Sequence, residues 1–301
     1  MTVLVGYVPH KGGRGSLDLG LQLAHALGTR LAVVTVVPRQ WSTPSLARVD
    51  AEYAEFAQQL GQQAEAKARE YLVDPSVEVP IDYHAVSGRS VTSALLEAAG
   101  ECEASVLVLG SSTDGAVGRI VVGSTTDKLL HSSPVPLALS PRGYRSTAAD
   151  GFSRVTAAFS DGDESEKVVA QAVTFAQSIG APARVASFGV RGGTMYPPEV
   201  GLSAEDSVLD SWREQASEAQ ARLRADRVIG DDTETVTATG AGWGESMSSI
   251  DWDVNELLVL GSSTLGPIAR VFLGSRATKL IRHSPVPVVV VPRGYELAAD
   301  S

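Results

Sequence analysis

The stretch from Gly110 to Tyr144, GSSTDGAVGRIVVGSTTDKLLHSSPVPLALSPRGY, recurs from Gly261 to Tyr295 as GSSTLGPIARVFLGSRATKLIRHSPVPVVVVPRGY, at a constant offset of 151 residues. About half of the positions are identical without a gap. A fixed internal period means one supersecondary plan copied, so the chain must fold as a tandem of two related domains.

Each copy opens on a short apolar run ending in glycine, SVLVLG from Ser105 to Gly110 and ELLVLG from Glu256 to Gly261. A Gly/Ser loop follows, then Gly-Ser and a helical stretch carrying Lys128 or Lys279. A strand entering a glycine-rich loop and then a helix N-terminus gathers free backbone N–H groups and the positive end of the helix dipole, which suits a phosphate. Ser-Pro-Val-Pro, a β-run and Pro-Arg-Gly-Tyr close each copy. Prolines forbid helix there and bracket a short final strand, expected to pair with its counterpart in the neighbouring domain.

At 301 residues, each half has the usual size of one α/β core. The net charge of −10 disfavours a general nucleic-acid binder. No apolar run reaches bilayer length, and the N-terminus reads as a buried strand rather than a signal peptide, so the expectation is a cytoplasmic protein with no membrane span. Cys102 is the single cysteine, which excludes an internal disulfide and a cysteine-clustered zinc site.

In chain order, Val3 to Tyr7, Leu31 to Val37, Val77 to Val86, Ser105 to Gly110 and Leu137 to Ser140 read as strands. Between them lie helices spaced by Leu17, Leu21, Ala24 and Leu27, from Ser45 to Leu72, from Ser90 to Ala99, and one ending near Ser132. Strands alternating with helices imply a mostly parallel sheet with right-handed crossovers. The expected architecture is α/β: two tandem Rossmann-like domains, each a five-stranded, mostly parallel sheet flanked by helices. The first spans residues 1–145, a small polar linker 146–153, and the second 154–301. The second copy repeats the plan with strands at Val155 to Phe159, Arg184 to Val190 and Thr233 to Thr239 and helices at Ser165 to Ile179 and Ala204 to Val228. Its third helix, within Gly240 to Asp253, is glycine-rich and carries Trp243 and Trp252, a local alteration around a surface or a pocket.

The repeated block resembles the universal stress protein family in its tandem two-domain form. Nucleotide-binding members of that family carry Gly, two residues, Gly, nine residues, then Gly-Ser or Gly-Thr. Gly110, Gly123 and Ser124 match the outer parts in copy one, and Gly261, Gly274 and Ser275 in copy two. Thr113 and Thr264 replace the middle glycine, and a β-branched residue crowds the approach of backbone to phosphate; Gly115 and Gly266 reshape the loop nearby. The resemblance implies an adenine nucleotide, ATP or AMP, as ligand, with Val36 and Phe188 where similar proteins hold adenine through backbone groups. It also implies an aspartate just after the first strand. Copy one has Val8 there, whereas copy two has Ser160 with Asp161 beside it, which makes the second domain the better candidate. Arg119 and Arg270 recur at one loop position, where an arginine either clamps a phosphate or pairs with an acid.

The competing readings stay open at this level. The glycines also serve as a plain strand-to-helix turn, and with both sites decayed the chain would be a nucleotide-free scaffold or regulatory partner. His10, His25, His84, His131 and His283 show no ligand spacing, and no Gly-x-Ser-x-Gly elbow or paired-carboxylate motif supports hydrolase chemistry. The Lys11 to Gly15 loop lacks the arrangement an ATP pyrophosphatase needs. The expectation is a stress-response protein that binds rather than catalyses, as an internal pseudo-dimer that can also form a homodimer.

Overall fold

The computed structural model describes residues 1–9, 13–38, 47–73, 78–146, 151–191, 198–262 and 275–295, without the side chains of 47–51, 53 and 198–206. The chain divides into two compact units, Met1–Gly151 and Phe152–Ser301.

Unit 1 runs β1 (Thr2–Gly6), α1 (Gly13–Ala26), β2 (Arg30–Val37), α2 (Ala47–Tyr71), β3 (Ile81–Ser87), α3 (Val91–Glu101), β4 (Ala104–Gly110), α4 (Ser124–Leu130) and β5 (Leu137–Ser140). Its strands lie in the order β3-β2-β1-β4-β5, and every pairing is parallel. Burial follows that order. Val3, Leu4 and Val5 of β1 are fully buried on both faces, as a central strand under helices requires, whereas β3 at the edge has only half-buried and exposed residues. Leu17, Leu21 and Ala24 turn α1 onto the sheet, and Gly20 lets the helix lie so close that a Cβ there would collide with Val5. Ser90 caps α3 by accepting from the Ser93 N–H at 3.1 Å while the Ser93 hydroxyl accepts from the Ser90 N–H at 3.0 Å, a capping box.

Unit 2 repeats the plan as β6 (Arg154–Ala158), α5 (Asp163–Ser178), β7 (Ala183–Val190), α6 (Pro198–Ala225), β8 (Glu234–Gly240), α7 (Trp243–Ser248), β9 (Glu256–Gly261), α8 (Ser275–His283) and β10 (Val288–Val291). The order is β8-β7-β6-β9-β10, again all parallel. Val155, Ala157 and Phe159 from β6 and its end pack with Val169, Ala172 and Ala176 of α5 and Ala219 and Leu223 of α6 to form the core on one face.

The expected α/β plan is present in both units, with differences at element ends. β3 begins at Ile81, after Pro80, which has no N–H to give a ladder. α4 stops at Leu130, ahead of Ser133-Pro134, because the residue before proline is pushed out of helical backbone. The altered third helix of copy two is real but short: α7 has 6 residues, held by Met247, which is fully buried, and by the Ser246 hydroxyl donating to Ala238 O at 3.1 Å.

Candidate functional site

In each unit the strand order reverses between its first and fourth strands, β1 and β4 or β6 and β9. Helices leave neighbouring strands in opposite directions there, which opens a crevice beyond the strands' C-terminal ends, the usual ligand position in open parallel sheets. Parallel pairing carries Gly6, Val36 and Gly110 of unit 1 to that end, together with α1, the 111–123 loop and the start of α4.

The unit 1 loop folds back on itself. Ser112 N–H donates to Val121 O at 3.0 Å and Val121 N–H to the Ser111 hydroxyl at 2.8 Å. Gly118 N–H donates to Arg142 O at 2.8 Å, Arg142 N–H returns to Arg119 O at 2.9 Å, and the Arg142 guanidinium donates to Gly115 O. Gly118 needs its glycine, with φ at +77°. Gly115 has no room for a Cβ against Val121, and Ile120 is buried beneath. Thr113 is exposed on the loop. Gly123 is the N-cap of α4 and supplies no side-chain cap; a Cβ placed there would meet only Ser112, at 3.9 Å. Ser124 opens the helix and is exposed, and half-buried Val36 lies near the end of β2.

In unit 2, Gly261 ends β9 at the equivalent position, and a Cβ there would lie 2.7 Å from Val168 of α5. Ser275 is the exposed first residue of α8. Thr264, Gly266, Arg270 and Gly274 lie outside the described residues. Asp161 does follow the first strand, but its carboxylate is exposed and paired with Arg222 of α6 at 2.8 Å. Phe188 is buried in β7 and stacks on Trp252, with centroids 6.4 Å apart and planes 7° from parallel. Trp252 donates from Nε1 to Met247 O at 2.7 Å. It is therefore a packing residue, while Trp243 lies under the Lys279 ammonium at 5.6 Å.

Beside the unit 1 crevice lies a polar cluster that the repeat gave no reason to expect. Tyr71 at the end of α2 donates to the Asp18 carboxylate of α1, 2.9 Å from both oxygens; Arg145 approaches it at 3.6 Å, and Arg14 lies 5.3 Å over the Tyr71 ring. The Asp18 side chain is only 11% exposed. Burial pushes its pKa up to about 6, against the opposing pull of the Tyr71 hydroxyl and the two arginines. The Tyr71 phenol is pushed up to about 12 by burial and by that carboxylate.

The opposite end of unit 2 carries a different charge constellation. Arg184, 2% exposed, bonds the fully buried Glu256 at 2.6 Å; Arg154 reaches the other oxygen at 2.9 Å, and the Thr156 hydroxyl donates to the first. Arg184 also donates to Thr156 Oγ1 at 2.9 Å and Asp251 O at 3.0 Å and lies 5.0 Å over Trp252. Four donors on one carboxylate, counting the Asp253 N–H at 3.2 Å, make this a clasp that fixes the α7–β9 connection to the sheet. Among the described residues no group of three or more His, Cys, Asp and Glu side chains is placed to hold a metal ion, and no helix is long and apolar enough to cross a membrane.

The doubled 3-2-1-4-5 parallel sheet with a glycine loop at its switch point defines a tandem of Rossmann-like α/β domains. The model of the universal stress protein family matches residues 1–141 and again 151–292, and the chain belongs to that family. It is 46% identical over 292 residues to a universal stress protein of Mycobacterium tuberculosis, covering 97% of this chain and 100% of the relative. A universal stress protein of Mycolicibacterium smegmatis is 30% identical over 143 residues, 47% of this chain and 99% of its own. Among solved structures, a universal stress protein from Archaeoglobus fulgidus shares the fold with a TM-score of 0.60 at 18% identity, covering 97% of this chain and 98% of that one.

Proposed function

We propose that the protein acts in stress response by binding an adenine nucleotide, without catalysing its turnover. The observation that carries this reading is the strand-glycine-loop-helix turn at the switch point, where Gly123 leaves the first N–H groups of α4 with no side-chain cap. Gly261 and Ser275 hold the matching ends of that turn in unit 2. A second reading, a nucleotide-free regulatory partner, draws on the loop bonds that tie 111–123 to itself and on the engagement of Asp161 by Arg222.

Native mass spectrometry of the full chain with added ATP separates the two. The nucleotide reading expects a mass shift of one or two ATP that Gly123→Asp or Gly274→Asp reduces, because a carboxylate at the helix start repels phosphate. A chain that stays empty at millimolar ATP sinks it. Incubation of the same sample for hours, followed by quantification of ADP and phosphate, tests the non-catalytic half: turnover faster than the buffer blank contradicts it.

A further inference from the structure

The two units share a fold but not the charge at the helix that follows the first strand. α5 carries Asp163, Glu164 and Glu166 in its first turn, the acids that a helix N-terminus favours. α1 carries none; its first turn holds Arg14, a positive charge at the positive end of a helix, with no hydrogen bond among the described residues beyond its place over Tyr71. A positive charge at a helix start is locally unfavourable, offset here only in part by Asp18 one turn on, and such broken local rules concentrate at functional sites.

A second observation marks the same spot. The Ser140 hydroxyl at the end of β5 is fully buried and has no hydrogen-bond partner among the described residues. It lies 3.1 Å from where a Cβ on Gly15 would begin, inside the first turn of α1. A buried hydroxyl left unpaired is costly, so its persistence against buried Gly15 calls for a polar partner close by. A further cation reaches it from the turn after β5: Arg145 approaches Asp18 of α1 at 3.6 Å. The carboxylates on this side are Asp18, buried between Tyr71, Arg14 and Arg145, exposed Asp114 on the loop, and Asp127 in α4. In unit 2 the residue matching Arg142 is Arg293, already 3.5 Å from Glu164.

We propose that the first turn of α1, with Arg14, Arg145 and the Ser140 hydroxyl, is an anion site that takes the phosphate chain of a small phosphorylated ligand, and that unit 2 has no equivalent. For the identity of the ligand this rests on the adenine-nucleotide reading; for the site itself it does not. Arginine suits the role because its planar fork meets phosphate oxygens in pairs.

The test is calorimetric titration of the full chain with inorganic tripolyphosphate, with ATP and with adenosine, at low and high salt. Tripolyphosphate should bind with one site per chain, weaken as salt rises, and compete with ATP. The Arg14→Gln/Arg145→Gln double variant should lose at least tenfold in tripolyphosphate affinity. Arg14→Glu should not bind it, with circular dichroism like the parent's showing that the variant is folded. Arg293→Gln in unit 2 should leave binding unchanged. ATP binding that tripolyphosphate does not displace and the arginine variants do not weaken overturns the anion site while the nucleotide reading stands. Tripolyphosphate binding lost in the variants, with ATP no tighter and adenosine without effect, supports the site and overturns the nucleotide reading. No binding of either phosphate compound overturns both.

Discussion

The two units place their buried charge at opposite ends of one repeated sheet plan, each within its own strands. In unit 1 the charged groups gather at the C-terminal ends of the strands: Asp18 held by Tyr71 and approached by Arg145, with Arg14 alongside. In unit 2 they gather at the N-terminal ends, where Glu256 is fully bonded by Arg184, Arg154 and Thr156. The unit 2 constellation is closed around its carboxylate, both Glu256 oxygens bonded although Arg154 Nε is left unpaired among the described residues, and it fixes a connection that carries Trp252. The unit 1 constellation is open, with a carboxyl whose ionisation burial opposes and an arginine at the wrong end of a helix. A duplicated fold can keep one copy of a feature for stability and leave the other for a ligand, and satisfaction of the polar groups separates the two.

The largest effect should come from breaking the clasp. Glu256→Leu strands the Arg184 guanidinium in a site where it is 2% exposed, and unit 2 should lose about 3–5 kcal/mol, read as an earlier transition in urea unfolding. Adding Arg184→Met to that variant should restore most of the loss; a double variant as unstable as the single one would show that packing, not charge, was removed.

Asp18 gives the next effect, with the sign set by its raised pKa. The folded chain holds that proton more tightly than the unfolded one, so the stabilising contribution is complete below about 3.8 and is lost as pH rises through about 6. The difference is on the order of 2–3 kcal/mol across that window. Asp18→Asn should remove this slope and leave the variant about 1–2 kcal/mol more stable than the parent at pH 8, because the amide still accepts from Tyr71 without a buried charge. Urea midpoints measured from pH 4 to 8 decide it, and a parent whose stability rises over that range through this residue would contradict the sign.

Two glycines give the smallest effects. Gly20→Ala forces a methyl into Val5 and should cost about 1–3 kcal/mol. Gly123→Ala meets only Ser112 at 3.9 Å with φ at −81°, so thermal melts should move by less than about 0.5 kcal/mol. A large loss there would mean that the glycine serves the turn and not a ligand.

Much of the fold is legible in the sequence because repeat, β-branched runs and glycine-proline punctuation all report backbone conformation. Leu137 to Ser140 is bounded by prolines and forms β5 at those limits. The glycine turn was legible for the same reason, since Gly110, Gly123 and Ser124 stand where a strand ends and a helix starts. Partnership was not legible. Nothing near Asp161 in sequence points to Arg222, 61 residues on, or near Asp18 to Tyr71, 53 residues on. Arg14 offered one readable signal, a cation where a helix start favours acid, which the glycines around it obscured. The unpaired Ser140 hydroxyl is visible only once α1 lies on β5.

Hydrogen–deuterium exchange of the full chain with and without saturating ATP decides whether unit 1 holds the nucleotide, because it reports binding and its place together. Nucleotide held in unit 1 should slow exchange in residues 13–26 and 110–130, whether or not residues 256–283 slow as well. Slowing confined to 256–283, or no slowing anywhere at millimolar ATP, would contradict it.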